Sequence, residues 1–500
     1  MLTLTMFSVL TRCLGFLYKI YLSRIMTTTE LGIYNQTLSI YMVLITIVSS
    51  SIPLTISKIT SLNKSNNKQY LTNYSVTSSL ILSTALSIVL CMMIIVLKPL
   101  IIMLLGNVEG YNIMITLIPS VIFTALYSQI RGYLWGLENY FAVSIVEFFE
   151  QILRIAFCMI FITLNIFSSP ILAVGIALSI ACGISTVYGF ILYFKNGGRL
   201  KYRQGYYKDI IRSSAPLTGV RIFSSLLQPI VAVVLPLQLT RYGLDTSTAL
   251  SELGIIMGMS MPLLSIPSTI IGALCMILIP RISSQESNKD HIAKQINNYI
   301  KFSILCVFLF IPIFITLGVP ICNFVFNNLN AGVYLSYSAW IIIPMGIAQI
   351  TTSILNALNQ EQKTFIYFII SNILMLFIVL TTTKFFGIKS MVIGIGLSNS
   401  ILSIFNLIKI KKLTGFKPNI IPTLTYHLLL NLPIIAIVKL VYNILTKSIN
   451  VFFCIAISSI ISVLSYIALC FVFNILDFNL FKSFVSHLNH NQNKTNIKKG

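Results

Sequence analysis

Acidic residues are scarce in this chain: 12 Asp and Glu stand against 34 Lys and Arg in 500 residues. No two of the carboxylates form a loop pair such as Asp-x-Asp, and no Gly-rich loop ends in Lys-Ser/Thr. Hydrolytic chemistry and nucleotide-driven transport therefore lack their usual residues, and we expect no enzyme. Nine cysteines occur without a Cys-x-x-Cys, within or beside apolar runs, so they read as small buried hydrophobes rather than a disulfide framework. The four histidines, His291, His427, His487 and His490, lack metal-ligand spacing, and neither a metal nor another cofactor is expected. Charge of either sign is thin at 9%. Its place is taken by apolar residues, 56% of the chain at a mean hydropathy of +0.90, which exclude a soluble domain and define a polytopic membrane protein.

Runs of about 20 apolar residues recur from end to end, and we read an all-α protein of about fourteen transmembrane helices. The first run covers 3–26, the second 33–57, the fifth 143–167, the seventh 214–240 and the last 449–476. The first lacks the basic start and Ala-x-Ala site of a cleaved signal peptide. A net charge of +22 would suit nucleic acid, but its distribution argues against that partner. Nearly all Lys and Arg fall in breaks after even-numbered runs, such as Lys195 to Arg212 and Lys409 to Lys417, and in the tail. By the positive-inside rule both termini are cytoplasmic, in a bacterial cytoplasmic membrane, with contact to anionic lipids as a second role for the excess.

The first run is unusual in carrying Arg12, Lys19 and Arg24 and no carboxylate. Arg12 and Lys19 share one helical face, roughly 10 Å apart along the axis. A cation in hydrocarbon is costly, so this stripe should face water, an anion or protein rather than lipid.

Two short segments repeat. Ser51-Ile52-Pro53-Leu54-Thr55-Ile56 in the second run matches Ser265-Ile266-Pro267-Ser268-Thr269-Ile270 in the eighth. Gly136-Leu137-Glu138-Asn139 ends the fourth run as Ala357-Leu358-Asn359-Gln360 ends the tenth. Both joins step by six runs, which predicts two parallel six-helix lobes followed by two added helices. The expected organisation is a lobe at 1–194, a basic loop at 195–212, a lobe at 213–412, the added pair at 413–478 and a basic tail at 479–500. On this repeat Arg221 in the seventh run is the counterpart of Arg12, each roughly 12 to 14 Å from the cytoplasmic edge.

A cleft lined by Arg12, Lys19, Lys58 and Arg221 suits a phosphate or diphosphate head group. Snorkelling at a helix end is the plainer reading, and it fits Lys58 better than the deep arginines. The fifth run places Glu147, Glu150 and Arg154 near one face. They read either as a structural Glu150 to Arg154 pair or as a proton relay, with Glu147 left without a partner on its own helix.

Thr11-Arg12-Cys13-Leu14-Gly15-Phe16 with Ser23-Arg24, Leu31-Gly32-Ile33-Tyr34, and Ile52-Pro53-Leu54-Thr55-Ile56-Ser57-Lys58 resemble the opening of the stage V sporulation protein B family. Arg131-Gly132-Tyr133 with Gly136, and Glu150-Gln151-Ile152-Leu153-Arg154, look like its fourth- and fifth-helix signatures. That family sits in the multidrug/oligosaccharidyl-lipid/polysaccharide (MOP) exporter superfamily with the lipid II flippases. The resemblance implies a MATE-like pair of six-helix lobes, alternating access, and two extra helices that hold a polyprenyl tail. It implies as substrate an undecaprenyl-diphosphate-linked saccharide, a peptidoglycan precursor in the spore-cortex branch. Arg12 and Lys58 match basic positions of the family. Tyr18-Lys19 replaces the Arg-Asp of the better-known flippases, and Met259-Ser260-Met261-Pro262 stands where they tend to carry an arginine.

The expected function is thus a flippase for a lipid-linked oligosaccharide. Rival readings are an O-antigen or capsule-type lipid flippase, a cation-coupled multidrug exporter, and a non-transporting scaffold that partners cell-wall synthesis proteins. The exporter would want carboxylates in the cleft, and the scaffold gives the deep cations no purpose.

Overall fold

A computed structural model of the chain describes residues 2–49, 51–66, 69–203, 205–283, 289–415 and 419–473. The basic tail expected at 479–500, with His487 and His490, lies outside them. Regular structure among the described residues is helical throughout. In order the helices are α1 (Leu2–Ile25), α2 (Thr28–Ser49), α3 (Ile52–Ser65), α4 (Gln69–Val96), α5 (Lys98–Leu105), α6 (Val108–Gly136) and α7 (Tyr140–Thr163). Next come α8 (Pro170–Lys195), α9 (Tyr206–Arg241), α10 (Thr246–Gly254), a π-helical turn (Ile255–Ser260), α11 (Met261–Leu264) and α12 (Ile266–Ser283). The chain continues through α13 (Lys289–Phe326), α14 (Leu329–Ser338), α15 (Ile342–Ala357), α16 (Glu361–Phe386), α17 (Lys389–Thr414), α18 (Ile420–Leu445) and α19 (Val451–Val472).

Twelve described segments are long and apolar enough to cross a membrane. Helices α1 and α7, of 24 residues each, fall outside that set. Each carries three charged groups, Arg12, Lys19 and Arg24 in one and Glu147, Glu150 and Arg154 in the other. Helices α1 and α7 cover the first and fifth of the about fourteen expected runs. The polytopic, all-α class read from composition is the class observed.

The repeat is visible in the backbone. The chain breaks before Ile52 and again before Ile266, and the N–H groups of Thr55 and Thr269 donate to Ser51 O and Ser265 O at 3.2 and 3.0 Å. Proline one residue into each new helix needs no N–H partner there, which explains why the motif restarts a helix. Glu138 and Asn359 both adopt positive φ, 65° and 58°. In each turn the next residue reaches back five positions, Asn139 N to Leu134 O at 3.0 Å and Gln360 N to Leu355 O at 2.9 Å. This double closure satisfies the carbonyls that a helix end leaves open.

The chain forms two units, Met1–Pro262 with Asn372–Met391, and Leu263–Ser371 with Val392–Gly500. In the first, α6 is the central post, packed by α8, α3, α2 and α4. A Cβ on Gly132 would stand 2.4 Å from Pro53 O and one on Gly136 2.6 Å from Ser57 O, so this Gly-x-x-x-Gly face lets α3 lie backbone to backbone on α6. The core beside it holds Ile56, Val76, Ile130, Tyr133 and Tyr193, each at most 0% exposed. Helices α2 and α10 approach as closely: a Cβ on Gly32 would lie 1.9 Å from Leu250 O, and one on Gly254 2.2 Å from Thr28 O. In the second unit α13 packs against α14, α15, α18 and α19. There His427, 1% exposed, shares a 2.8 Å hydrogen bond with the Tyr466 hydroxyl and stacks on Phe308.

Candidate substrate-binding site

Helix α1 is held along α7 by aromatic and cation contacts. The Phe7 ring meets Phe141 and Phe148 edge-on at 5.9 and 5.4 Å, and the Arg154 guanidinium lies 5.6 Å from the buried Tyr18 ring. Between these anchors Arg12 is exposed and opens on a cavity of about 290 Å³. Phe7 and Thr11 flank it on α1, Trp135 comes from α6, and Tyr140, Val143, Ser144 and Glu147 come from α7.

Glu147, which lines the cavity, is one half of an ion pair. Arg131 Nη1 donates to Glu147 Oε1 at 3.3 Å, and the Arg131 guanidinium sits over the Trp135 ring at 4.9 Å. Glu147, which has no partner on its own helix, thus has one on α6. The signal was available: Arg131 and Glu147 are equidistant in sequence from Asn139, which caps α7 by accepting from Ala142 N at 3.3 Å, so an antiparallel hairpin turning there brings them opposite each other.

Glu150 and Arg154 form no ion pair. Arg154 donates to the Gln151 side chain, three residues away, while Glu150 accepts from Cys182 Sγ on α8 at 3.8 Å. Thr124 of α6 donates to that same sulfur at 3.9 Å. Nothing in the spacing of α7 alone could show that α6 and α8 supply these partners.

The remaining expected cations lie elsewhere in the same unit. Lys19 is exposed on α1 and Lys58 exposed on α3, and neither lines the Arg12 cavity. Arg221 is half-buried on α9, which packs on α3. The Ser51 and Thr218 hydroxyls bond across that α3 to α9 contact. So Arg12 and Lys19 belong to the α1 to α7 pair, and Lys58 and Arg221 to the α3 to α9 pair. Helix α9 starts at Tyr206, ahead of the expected 214, which sets Arg221 farther along its helix than Arg12 is along α1.

The fold matches those of two solved membrane proteins. Over 95% of this chain and 99% of the other, it matches the lipid II flippase MurJ in an inward closed conformation, with a TM-score of 0.73 at 16% identity. It also matches an inward-facing multidrug resistance MATE family transporter of the MOP superfamily, with a TM-score of 0.62 at 14% identity, over 82% of this chain and 96% of that one. These structures are of a flippase and a transporter, and the chain shares their fold. The chain belongs to the polysaccharide biosynthesis protein family, whose model matches residues 1–286. It is 25% identical to stage V sporulation protein B of Bacillus subtilis (strain 168) over 293 residues, 56% of this chain and 56% of that protein. The chain thus spans about half the length of that curated relative.

Proposed function

We propose that this protein is a flippase that carries an undecaprenyl-diphosphate-linked saccharide, a peptidoglycan precursor, from the inner to the outer leaflet of the bacterial cytoplasmic membrane by alternating access. Both termini lie on the cytoplasmic side in this reading, as the placement of Lys and Arg suggests. The observation that carries the proposal is Arg12, a permanent cation in a membrane helix, at the rim of a polar and aromatic cavity. An apolar site would not tolerate it and a cationic substrate would be repelled by it. A diphosphate is matched by it, through two parallel N–H donors to phosphate oxygens. Lys19, Lys58 and Arg221 would serve the same anion at other points of its passage, and α18 and α19 would hold the polyprenyl tail. The flippase and sporulation names of the relatives support this reading and a role in spore-cortex synthesis.

Of the two α7 carboxylates, Glu150 is the candidate proton carrier, because the charge of Glu147 is already balanced by Arg131.

The test replaces Arg12 and Arg221 singly with Ala and with Lys, in cells depleted of their own lipid II flippase. Wild type should restore growth, the Ala variants should fail, and the Lys variants should restore it in part. Full rescue by well-expressed Ala variants at both sites would sink the anion mechanism.

A further inference from the structure

The cavity beside Arg12 is more than a cation's surroundings, because its other walls have a chemistry that a phosphate does not need. We propose that it is a saccharide subsite: it takes the sugar ring joined to the diphosphate while Arg12 holds the diphosphate itself. This rests on the flippase reading and adds where the sugar goes.

The groups that line the cavity match the parts of such a substrate, a cation for the diphosphate and rings with polar groups for the sugar. The cation shares one cavity with two aromatic rings, Trp135 of α6 and Tyr140 of α7, and with two polar side chains of α7, Ser144 and Glu147. An aromatic face is electronegative and attracts the C–H face of a sugar ring, while a carboxylate and a hydroxyl pair with the ring's own hydroxyls. Glu147 is fitted for this: Arg131 engages its Oε1, and among the described residues nothing donates to Oε2. The stack of Arg131 on Trp135 locks acceptor and ring into one rigid piece before any ligand arrives, so little freedom is lost on binding.

Size and charge narrow the occupant. About 290 Å³ is near the lower limit of ligand cavities, roughly 300 Å³. That space suits a single ring and refuses a branched oligosaccharide. A hydrocarbon tail would leave Arg12, Ser144 and Glu147 against apolar groups, which is costly. A cationic compound would meet Arg12 and a carboxylate already neutralised.

The experiment compares two probes on the full chain in lipid nanodiscs: undecaprenyl diphosphate, and the same lipid bearing one N-acetylhexosamine. Wild type should bind the sugar-bearing lipid about tenfold more tightly, a difference of about 1.4 kcal/mol. Tyr140→Ala, Ser144→Phe and Glu147→Gln should each erase that preference, read as the ratio of the two affinities in the same variant. Tyr140→Ala guards against misfolding, since this side chain is 45% exposed and outside the ion pair. Arg12→Ala should weaken both probes alike. A preference that survives all three cavity variants, or an equal loss of both probes in them, would overturn the subsite and leave the flippase reading standing. Wild type that binds neither lipid would overturn the flippase reading itself.

Discussion

Arg131 and Glu147 meet across the turn between α6 and α7, Nη1 to Oε1 at 3.3 Å, with the guanidinium lying on Trp135. Their side chains are 27% and 43% exposed. Removing one partner of a fully buried pair costs roughly 3 to 5 kcal/mol, and solvent screening at this exposure lowers that to about 1 to 2 kcal/mol. Glu147→Ala should therefore lower the thermal midpoint of the purified protein. The double variant with Arg131→Ala should lose less than the sum of the two single losses. Strict additivity in that cycle would show that the pair contributes nothing by pairing.

The α2 to α10 contact makes a sharper demand. Gly32→Ala would place a methyl group 1.9 Å from Leu250 O, and Gly254→Ala one 2.2 Å from Thr28 O. Overpacking of this kind costs roughly 1 to 3 kcal/mol, because a backbone cannot rotate aside as a side chain can. On α9, by contrast, a Cβ at Gly219 meets nothing within 4 Å, and Gly219→Ala should be neutral or stabilise by roughly 0.5 to 1 kcal/mol. Melting curves of the three variants check this, and equal behaviour would contradict the close approach.

Tyr466→Phe should leave His427 Nδ1 buried without its partner, at a cost of roughly 1 to 3 kcal/mol. Tyr426, on the same helix as His427 but 62% exposed, is the control, and Tyr426→Phe should change nothing. Identical thermal midpoints for the two variants would remove the hydrogen bond from the account of α18 and α19.

Asp245 caps α10, accepting from the Ser247 and Thr248 hydroxyls and from the Thr248 N–H at 3.2 Å. These donors, Ser247 first, pull its carboxyl down to about 2, from an ordinary 3.8. A carboxyl depressed on folding stabilises fully above its unfolded value, and the contribution fades as pH falls toward the folded value. Thr248 amide exchange should therefore show the same protection at pH 7 and pH 5 and lose it near pH 2. Asp245→Asn should flatten that dependence. An acid transition that persists in Asp245→Asn would assign it to another group.

The class and the two matching turns were legible because they depend on runs and on local chemistry. Ser51-Ile52-Pro53 and Ser265-Ile266-Pro267 each restart a helix, at Ile52 and at Ile266. Arg12 was legible as an oddity, since a cation in an apolar run needs a reason. Its surroundings were not, because Trp135, Tyr140 and Glu147 reach it from two other helices. The Glu150 to Arg154 pairing failed for a related reason. Spacing on one helix says which groups could meet, while Gln151 and Cys182 were nearer acceptors and donors in the packed unit.

The equivalence of the Glu138 and Asn359 turns also allows a position-by-position comparison of the two repeats. Counting from those two turns, the positions of Arg131, Trp135 and Glu147 are occupied in the later repeat by Thr352, Asn356 and Phe368. Only the first repeat carries the charged pair and its indole at these positions. If the substrate's sugar docks there, the load is carried by one arm, and the other is free to evolve as the counterweight.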